Sequence, residues 1–577
     1  MILILVPARG ESKGIPGKNL AKVGGIPLVA RAVRTGRLTL QSIGEQGLVV
    51  CSTESKEIAA VAREWGAEVP FVRPTTLASD QARQIDVVVH AIEALSMADD
   101  VTVVLLQPTS PFTAVDDVLA TIERHRQCGQ PVVTVTTVDH PLEWTLKQLP
   151  NGVLEAAVQG EVPATRQDRY PLVKLNGAVY AASAGRLKRQ ESFLGPSTQG
   201  LLMPKDRSID IDAPSDLDRA EYLANSRAVA PIDVSGRKIG AGNPCFIIAE
   251  AGVNHNGSVE LALDLVDVAA EAGADAVKFQ TFHTERVVSE QARQANYQRS
   301  NTGIDEPQYE MICRLQLDDS AFAAISMHCH ERGIMFLSSP FDTESVDLLD
   351  SLGVPAFKVG SGELTHPALL THIASKGKPV LLSTGMASLL EVSNALDVIT
   401  FSGAPPVALL HCVSNYPTDP IDCNLEATRT MRAAFAVPVG WSDHTLGIHV
   451  SLAAVALGAE LIEKHFTLDR TLPGPDHRAS LEPDELRDLV RQIRDVENAL
   501  GDGEKTPRDS ERNTADVARR SLHASRDIHA GHRIAADDLT ALRPGTGIPA
   551  DRFDEIVGRH ALNRVPAGAM IRESDLE

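Results

Sequence analysis

Between about residues 240 and 500, eight short apolar runs each end in polar side chains: Glu250; Lys278 with Gln280; Ser338 with Ser339; Lys358 with Ser361; Ser383 with Thr384; His411; Asp443 with His444; and Lys464 with His465. A lysine or histidine so near the end of a buried strand is costly unless it is paired or used. Lysines gathered there would fix an anion such as a phosphate or carboxylate. A single such histidine is more often a hydrogen-bonded core residue. Two at successive run ends, His444 and His465, suit a divalent ion acting as a Lewis acid. No cysteine stands in the runs that end in His444 and His465 to favour zinc, so Mn²⁺ or Mg²⁺ is expected.

A second set of candidates follows the first apolar run of the chain. The stretch "ARGESKGIPGKNL" combines Gly10, Gly14 and Gly17 with Arg9, Lys13 and Lys18. Glycines let backbone N–H groups approach phosphates, and the cations neutralise them. The spacing is neither GxGxxG nor a Walker A loop, which argues against dinucleotides and P-loop ATPases. Phosphate binding and an ordinary surface turn both remain open. In "SIDID", Asp210 and Asp212 alternate across Ile211 and share one face of an extended segment. They could hold Mg²⁺ or be solvated turn residues.

The elements that must position these groups can be read from pattern. The eight runs, "CFIIAE", "DAVKFQT", "IMFLSS", "AFKVGS", "PVLLST", "VALLHC", "VPVGWS" and "LIEKHF", are separated by helical stretches, with a longer insertion around 283–318. Eight βα units are the count for a (β/α)8 barrel, whose strand ends converge on the C-terminal face; an eight-stranded open sheet is the alternative. Upstream, the runs Ile2–Val6, Leu48–Ser52, Val101–Leu106, Val132–Thr136 and Ala178–Tyr180 alternate with helical patterns and predict a mainly parallel α/β sheet. "NSRAVAPIDVSGRK" reads as a linker between the two blocks and "GDGEKTPRDSERN" as a second. The tail from about 516 to 577 would have a marginal core alone and is expected to dock on something.

The chain has 577 residues, enough for about three or four domains, with 43% apolar and 23% charged residues. Lys+Arg 55 against Asp+Glu 76 gives −21, which argues against nucleic acid or an anionic membrane as partner. Residues 1–230 are near neutral, with 24 basic and 26 acidic groups, whereas the remainder carries 31 and 50. The halves read as separate modules, and anionic substrates need local clusters of Lys and Arg. Seven cysteines include no CxxC pair. No apolar run approaches the ~20 residues of a membrane span. "MILILVPARG" reads as a buried strand and not a signal peptide, so a cytoplasmic location is expected.

Beyond these readings, the first loop resembles the signature of the CMP-sialic acid synthetases, a cytidylyltransferase family. "RPTTLASD", "LLQPTSPF", "TRQDRYP", "KLNGAVY" and "SIDID" match the same family in order. The resemblance implies attack of a sugar acid's anomeric hydroxyl on the α-phosphate of CTP. It assigns Arg9, Ser12, Lys18 and Asn19 to the triphosphate and Arg73, Ser79 and Gln107 to the nucleotide. Arg166, Lys174 and Asn176 would hold the sugar acid and the reacting phosphates, with Lys18 and Arg166 catalytic. Asp210 and Asp212 would bind Mg²⁺.

The later motifs "FIIAEAGVNHNG", "FKVGSGE", "LLHCVSNYPT", "GWSDHTLG" and "IEKHFTLDR" are similar to those of the sialic acid synthases, and the tail resembles the antifreeze-like (SAF) domain of that family. This implies condensation of phosphoenolpyruvate with an open-chain N-acyl mannosamine-type sugar to a nine-carbon α-keto acid and phosphate. Lys278, Lys358, Ser339, Ser361 and Ser414 would hold phosphoenolpyruvate, and Glu250 would orient the sugar or attacking water or act as a base. Asn254, Gln280, Tyr416 and Asp443 would contact the sugar or support the metal held by His444 and His465. Arg543 would reach over the barrel mouth of a partner in a swapped homodimer or higher oligomer.

The expected architecture is therefore α/β: a Rossmann-like nucleotidyltransferase domain (1–226), a TIM-barrel synthase (236–502) and a SAF domain (516–577). The expected activity is bifunctional, with the barrel's product activated by CTP in the N-terminal domain. An octulosonate-type enzyme pair is the competing reading, weakened by the tail; a decayed, non-catalytic half is disfavoured by the intact motifs. "SDHTLGI" and "GPDHRASLEP" resemble synthases for legionaminic-type 6-deoxy diacetamido sugars.

Overall fold

The computed structural model describes residues 1–138, 146–156 and 172–577. The first apolar run forms β1 (Ile2–Pro7), followed by β2 (Gly47–Ser52), β3 (Thr102–Leu106), β4 (Val132–Thr137), β5 (Val173–Ser183) and β6 (Gln199–Leu202). They make one sheet in the order β6-β4-β5-β3-β1-β2, in which β5 is antiparallel to β3 and β4 and the other pairs are parallel. Ile2, Ile4 and Val6 enter one core layer while Leu3 and Leu5 enter the other. Helices cover both faces, so β1 is continuously apolar instead of alternating.

The eight later runs form β7 (Phe246–Gly252), β8 (Ala276–Thr281), β9 (Met335–Pro340), β10 (Phe357–Val359), β11 (Val380–Ser383), β12 (Val407–His411), β13 (Val439–Asp443) and β14 (Leu461–His465). Their order, β9-β8-β7-β14-β13-β12-β11-β10, is cyclic and all parallel, and β9 and β10 lie side by side at the seam. This is the barrel. Period-two alternation sends Phe246, Ile248, Leu337, Leu381, Leu410 and Leu461 inward, while Ile247, Ala249, Phe279, Trp441 and Ile462 pack against the helices.

The first of the two expected linkers is structural. Ile232–Val234 and Arg237–Ile239 pair as an antiparallel hairpin. Its Ile232, Val234 and Ile239 join the inner core layer and plug the N-terminal end of the barrel.

Nor are the first two domains separate. Helix α1 (Leu28–Ile43) of the N-terminal domain faces α2 (Leu389–Phe401) and α3 (Ala427–Phe435) of the barrel. Buried Asp397 accepts from Arg34 and Arg37 at 2.7 and 2.6 Å. Leu390, Ala434 and Phe435 pack into the N-terminal core. Gly25 has φ +75°, and a Cβ there would strike Thr430, which is how the turn between Lys22–Val23 and Ile26–Pro27 lies flush on α3. Residues Met1–Asn498 thus form one compact unit, and Ala499–Glu577 form a second. The charge contrast between the halves describes their exposed surfaces, whereas the joint is made of small apolar groups and one buried ionic cluster.

The second unit pairs β15 (Ser521–Ala524) with β16 (Leu539–Leu542) around Leu522, Ile528, Ile534, Ile548, Ile556 and Ile571. Its core is its own. Buried Asp538 accepts from Arg526, from His532 at 2.8 Å and from the Ala535 N–H at 2.8 Å. Among the described residues no helix is long and apolar enough to cross a membrane.

Candidate active sites

The glycine-rich loop leaves the C-terminal end of β1 and wraps one cavity. Arg9, Ser12, Lys18, Asn19, Arg73, Ser79 and Gln107 all line it. Several of these are committed to building the loop. Asn19 is buried and donates to the Arg9 carbonyl at 2.9 Å. Arg73 is buried and donates to the Ser52 hydroxyl at 3.1 Å and to the Ser52 carbonyl. Arg9 and Lys13 each reach Asp80 at 2.8 Å, and Lys18 Nζ donates to the Ile211 carbonyl at 2.7 Å and to Asp212 Oδ1 at 3.2 Å. A Cβ on Gly14 would strike the Asp212 carbonyl, so only glycine lets the loop close on this segment.

Lys174, Asn176 and Asp210 line a second cavity with Lys205, Ser208 and Arg219. Asn176 is buried and accepts from Thr134 at 2.7 Å while donating to Ser208 at 3.0 Å. Burial pushes the Asp210 carboxyl up, and the charge of Asp212 adds to this, so a cation beside the pair relieves both terms. Two carboxylates suit Mg²⁺ if triphosphate and water oxygens complete the shell. Arg166 lies outside the described residues.

In the barrel, the inward-facing positions beyond the apolar layer form a ring of charge. Glu250 Oε2 lies 2.7 Å from Lys278 Nζ, and Glu463 stands between Lys278 at 3.8 Å and Lys358 at 3.4 Å. Both lysine side chains are 3% exposed. Lys278 donates to Ser339 at 3.0 Å, Lys358 to Ser383 at 2.8 Å, and Ser442 to Glu463 at 2.9 Å. Burial pushes Glu250 up to about 7 against the pull of Lys278. Burial acts the same way on Glu463, but Lys278 and Lys358 outweigh it and hold that carboxylate low. With Glu463 ionised, two ammonium groups face one carboxylate whenever Glu250 is protonated. The surplus positive charge calls for an anion.

Ser361 and Ser414 converge on Gly385. Its N–H donates to Ser361 Oγ at 3.0 Å, and a Cβ there would collide with both hydroxyls and with Cys412. Gly252, at φ +55°, opens a similar space bordered by Glu250, Gln280 and His465. Tyr416 is wedged against both imidazoles, with ring centroids 4.1 Å from His444 and 5.6 Å from His465. The two imidazoles are 5.7 Å apart. His444 Nδ1–H donates to the Val413 carbonyl at 2.7 Å while its Nε2 meets the Ser442 hydroxyl at 3.4 Å, and buried His465 Nδ1 has no hydrogen-bond partner among the described residues. Burial lowers His444 to about 4 and His465 well below its usual range, so both are neutral at pH 7. Neutral imidazole nitrogens fit a divalent cation. No cluster of three or more His, Cys, Asp or Glu side chains is arranged as a complete site among the described residues, so substrate or water must supply the remaining ligands.

One expectation differs from the geometry. Asp443 faces away from the mouth: on β13 it shares the outer face with Trp441, where it pairs with Lys464 at 3.1 Å and accepts from Ser451 at 2.6 Å. Asn254 is buried and its Nδ2 donates to the Phe466 carbonyl and to Ser480, which fastens the loop after β7, while its Oδ1 has no hydrogen-bond partner among the described residues. Arg543 is exposed within the second unit. Conversely, Glu463, Ser442 and Asp476 belong to the mouth and were not singled out. Glu463 has the same parity as His465 on β14, which is the signal that places it inside and Lys464 outside. Asp476 lines the mouth beside His465 and Tyr416, and burial pushes it up to about 6.

Comparison with known proteins accounts for the whole arrangement. A family model for the NeuB family matches residues 265–505, one for cytidylyltransferases matches 3–151, and one for the SAF domain matches 519–577. The N,N'-diacetyllegionaminic acid synthase of Campylobacter jejuni is 48% identical over 330 residues, covering 57% of this chain and 99% of that protein. The enzyme of that name from Legionella pneumophila is 46% identical over 353 residues, covering 59% and 99%. A crystal structure of N-acetylneuraminic acid synthetase from Leptospira borgpetersenii is 36% identical and covers 50% of this chain and 96% of its own, with a TM-score of 0.44. The chain belongs to the NeuB family and fuses a cytidylyltransferase domain to a sialic acid synthase barrel with its SAF domain, as an enzyme of sialic-type sugar biosynthesis.

Proposed function

We propose that the barrel condenses phosphoenolpyruvate with an open-chain N-acyl mannosamine-type sugar, releasing phosphate, and that the N-terminal domain transfers CMP from CTP to the nine-carbon product. The observation that carries the first step is the buried pair Lys278 and Lys358, with Glu463 between them and Glu250 beside Lys278. Their surplus charge and the hydroxyls of Ser339, Ser361 and Ser414 suit an anion bearing both phosphate and carboxylate. Glu250 is poised to take a proton from the attacking water or to orient the sugar, and Gln280 and Tyr416 face the acceptor. A divalent ion at His444 and His465, Mn²⁺ or Mg²⁺, would polarise the sugar aldehyde.

For the second step, Arg9, Ser12 and Lys18 bind the triphosphate on a loop held by Asn19 and Arg73, with Ser79 and Gln107 toward the nucleotide. Lys174, Asn176 and Arg166 hold the sugar acid. Mg²⁺ at Asp210 and Asp212 would neutralise charge on the phosphates. The acceptor we favour is the 6-deoxy diacetamido sugar, because the legionaminic acid synthases match at 48% and 46% identity whereas the human N-acetylneuraminate-9-phosphate synthase matches at 36%. Arg543 would serve a neighbouring chain's barrel in a homodimer, and the enzyme would work in the cytoplasm. The test is a coupled assay. Phosphate should appear only with both phosphoenolpyruvate and acceptor, and CMP-sugar only when CTP is added. Absence of acceptor-dependent phosphate release would overturn the assignment.

A further inference from the structure

We propose that the insertion between β8 and β9 builds an apolar subsite that reads the terminal carbon of the acceptor and selects a methyl group there. The inference rests on the acceptor reading above and deepens it. A cavity of about 140 Å³ opens beside Gln280, Tyr416 and His465, the acceptor side of the mouth. Its opposite wall is Val253, Phe282, Val287, Met311, Leu315 and Phe341. Val253, Phe282, Met311 and Leu315 form a small buried core separate from the barrel core, and the Phe282 and Phe341 rings meet edge to face at 6.2 Å. The wall is therefore a packed surface.

The insertion is also pinned in place. Asn301 Nδ2 donates to the Tyr416 carbonyl at 3.2 Å and to the Pro475 carbonyl at 2.7 Å, and Arg478 donates to the Ser300 carbonyl at 3.0 Å. The segment that carries the apolar wall is thus tied to both loops that carry polar groups of the mouth. A sugar with its aldehyde toward His444 and His465 has its far end free to enter this cavity.

Among the described residues the lining includes no lysine or arginine. Its ionisable members are Asp476, Tyr297, Tyr416 and His465. A phosphate on the terminal carbon would meet the Asp476 carboxylate and a hydrocarbon wall that carries no lysine or arginine among the described residues, and a terminal hydroxyl seated against that wall would be desolvated unless Tyr297, Gln298 or Asp476 replaced its water. A methyl group meets neither penalty. Hydrophobic pockets separate ligands differing by one small group by about 10–100-fold, so discrimination of that order is expected.

The test compares steady-state kinetics for two 2,4-diacetamido mannose-type sugars that differ only in carrying a methyl or a hydroxymethyl group at the terminal carbon, together with the terminal phosphate ester. The methyl sugar should lead by about 10-fold or more in kcat/KM, chiefly through KM, and the phosphate ester should not turn over. Met311→Gln should reduce that preference to near unity while Met311→Leu keeps it, with the KM for phosphoenolpyruvate unchanged in both. Should Met311→Gln fail to fold, Val287→Thr, at a half-buried position of similar volume, is expected to narrow the same ratio. Turnover of both sugars with a ratio indifferent to these substitutions overturns the subsite alone. If neither sugar releases phosphate from phosphoenolpyruvate, the acceptor reading falls and takes the subsite with it.

Discussion

Glu250 Oε2 sits 2.7 Å from Lys278 Nζ, yet burial raises this carboxyl to about 7 while Glu463, two lysines its neighbours, is held low. One ring of charge thus contains a carboxyl ready to exchange a proton near neutrality and another that stays ionised. If Glu250 acts as a base, synthase kcat/KM should rise with pH through about 7, and Glu250→Gln should flatten that limb. A persisting limb in the variant would assign it elsewhere. For stability the sign is opposite. The fold favours neutral Glu250, so its contribution is complete below the ordinary glutamate range and is lost as pH rises through about 7.

Lys18→Ala should suppress CMP transfer about 10²–10³-fold and leave phosphate release near normal, and Lys358→Ala should do the reverse, the scale being that of one charge-stabilising donor. Assays of both activities on each purified variant decide it. Loss of both from one substitution, with the fold intact, contradicts independent chemistry.

Substitution of either His444 or His465 by Ala should weaken Mn²⁺ binding and stop condensation. The wild type, dialysed and assayed in excess chelator, should be equally inactive. A rate unaffected by chelation removes the metal from the synthase.

Asp397→Ala strands Arg34 and Arg37 at the joint and should destabilise the Met1–Asn498 unit by about 1–3 kcal/mol. Denaturant melts of Asp397→Ala, Arg34→Ala and the double variant measure the coupling. Strict additivity would mean that Asp397 and Arg34 do not act together.

Chains carrying His465→Ala mixed with chains carrying Arg543→Ala should recover about a quarter of wild-type synthase activity if Arg543 serves a partner's barrel, since half of randomly paired dimers contain one intact site. No recovery from verified mixed dimers would falsify the swapped arrangement.

The barrel was legible because its runs end in groups too polar to be buried for nothing, and the parity of each run decides which groups face inward. Lys278, Lys358 and His465 are read correctly that way. Asp443 was misplaced because it ends a run beside His444 yet has the opposite parity. Asp476 was missed because it lies on a loop after β14, where no period marks a side chain as buried. The glycine and cation spacing marked the first loop but left phosphate binding and a surface turn both open, and the spending of Asn19 and Arg73 on backbone carbonyls depends on contacts that spacing does not encode. The joint between the domains was invisible. Ala433, Ala434 and Leu390 look like ordinary helix residues until the partner surface is known.

That joint has a consequence for how the fusion can change. The turn that lies on α3 begins two residues after the Lys18–Leu20 segment of the nucleotide loop, and α2 begins four residues after Gly385. The supports of both catalytic centres therefore lean on one shared seam. Cutting the gene between the two halves would leave Leu390, Phe435 and the surface around Gly25 uncovered, and an orthologous half grafted in would have to match Asp397 with two arginines. A swap of either half is thus constrained at the seam as well as at the residues of either site.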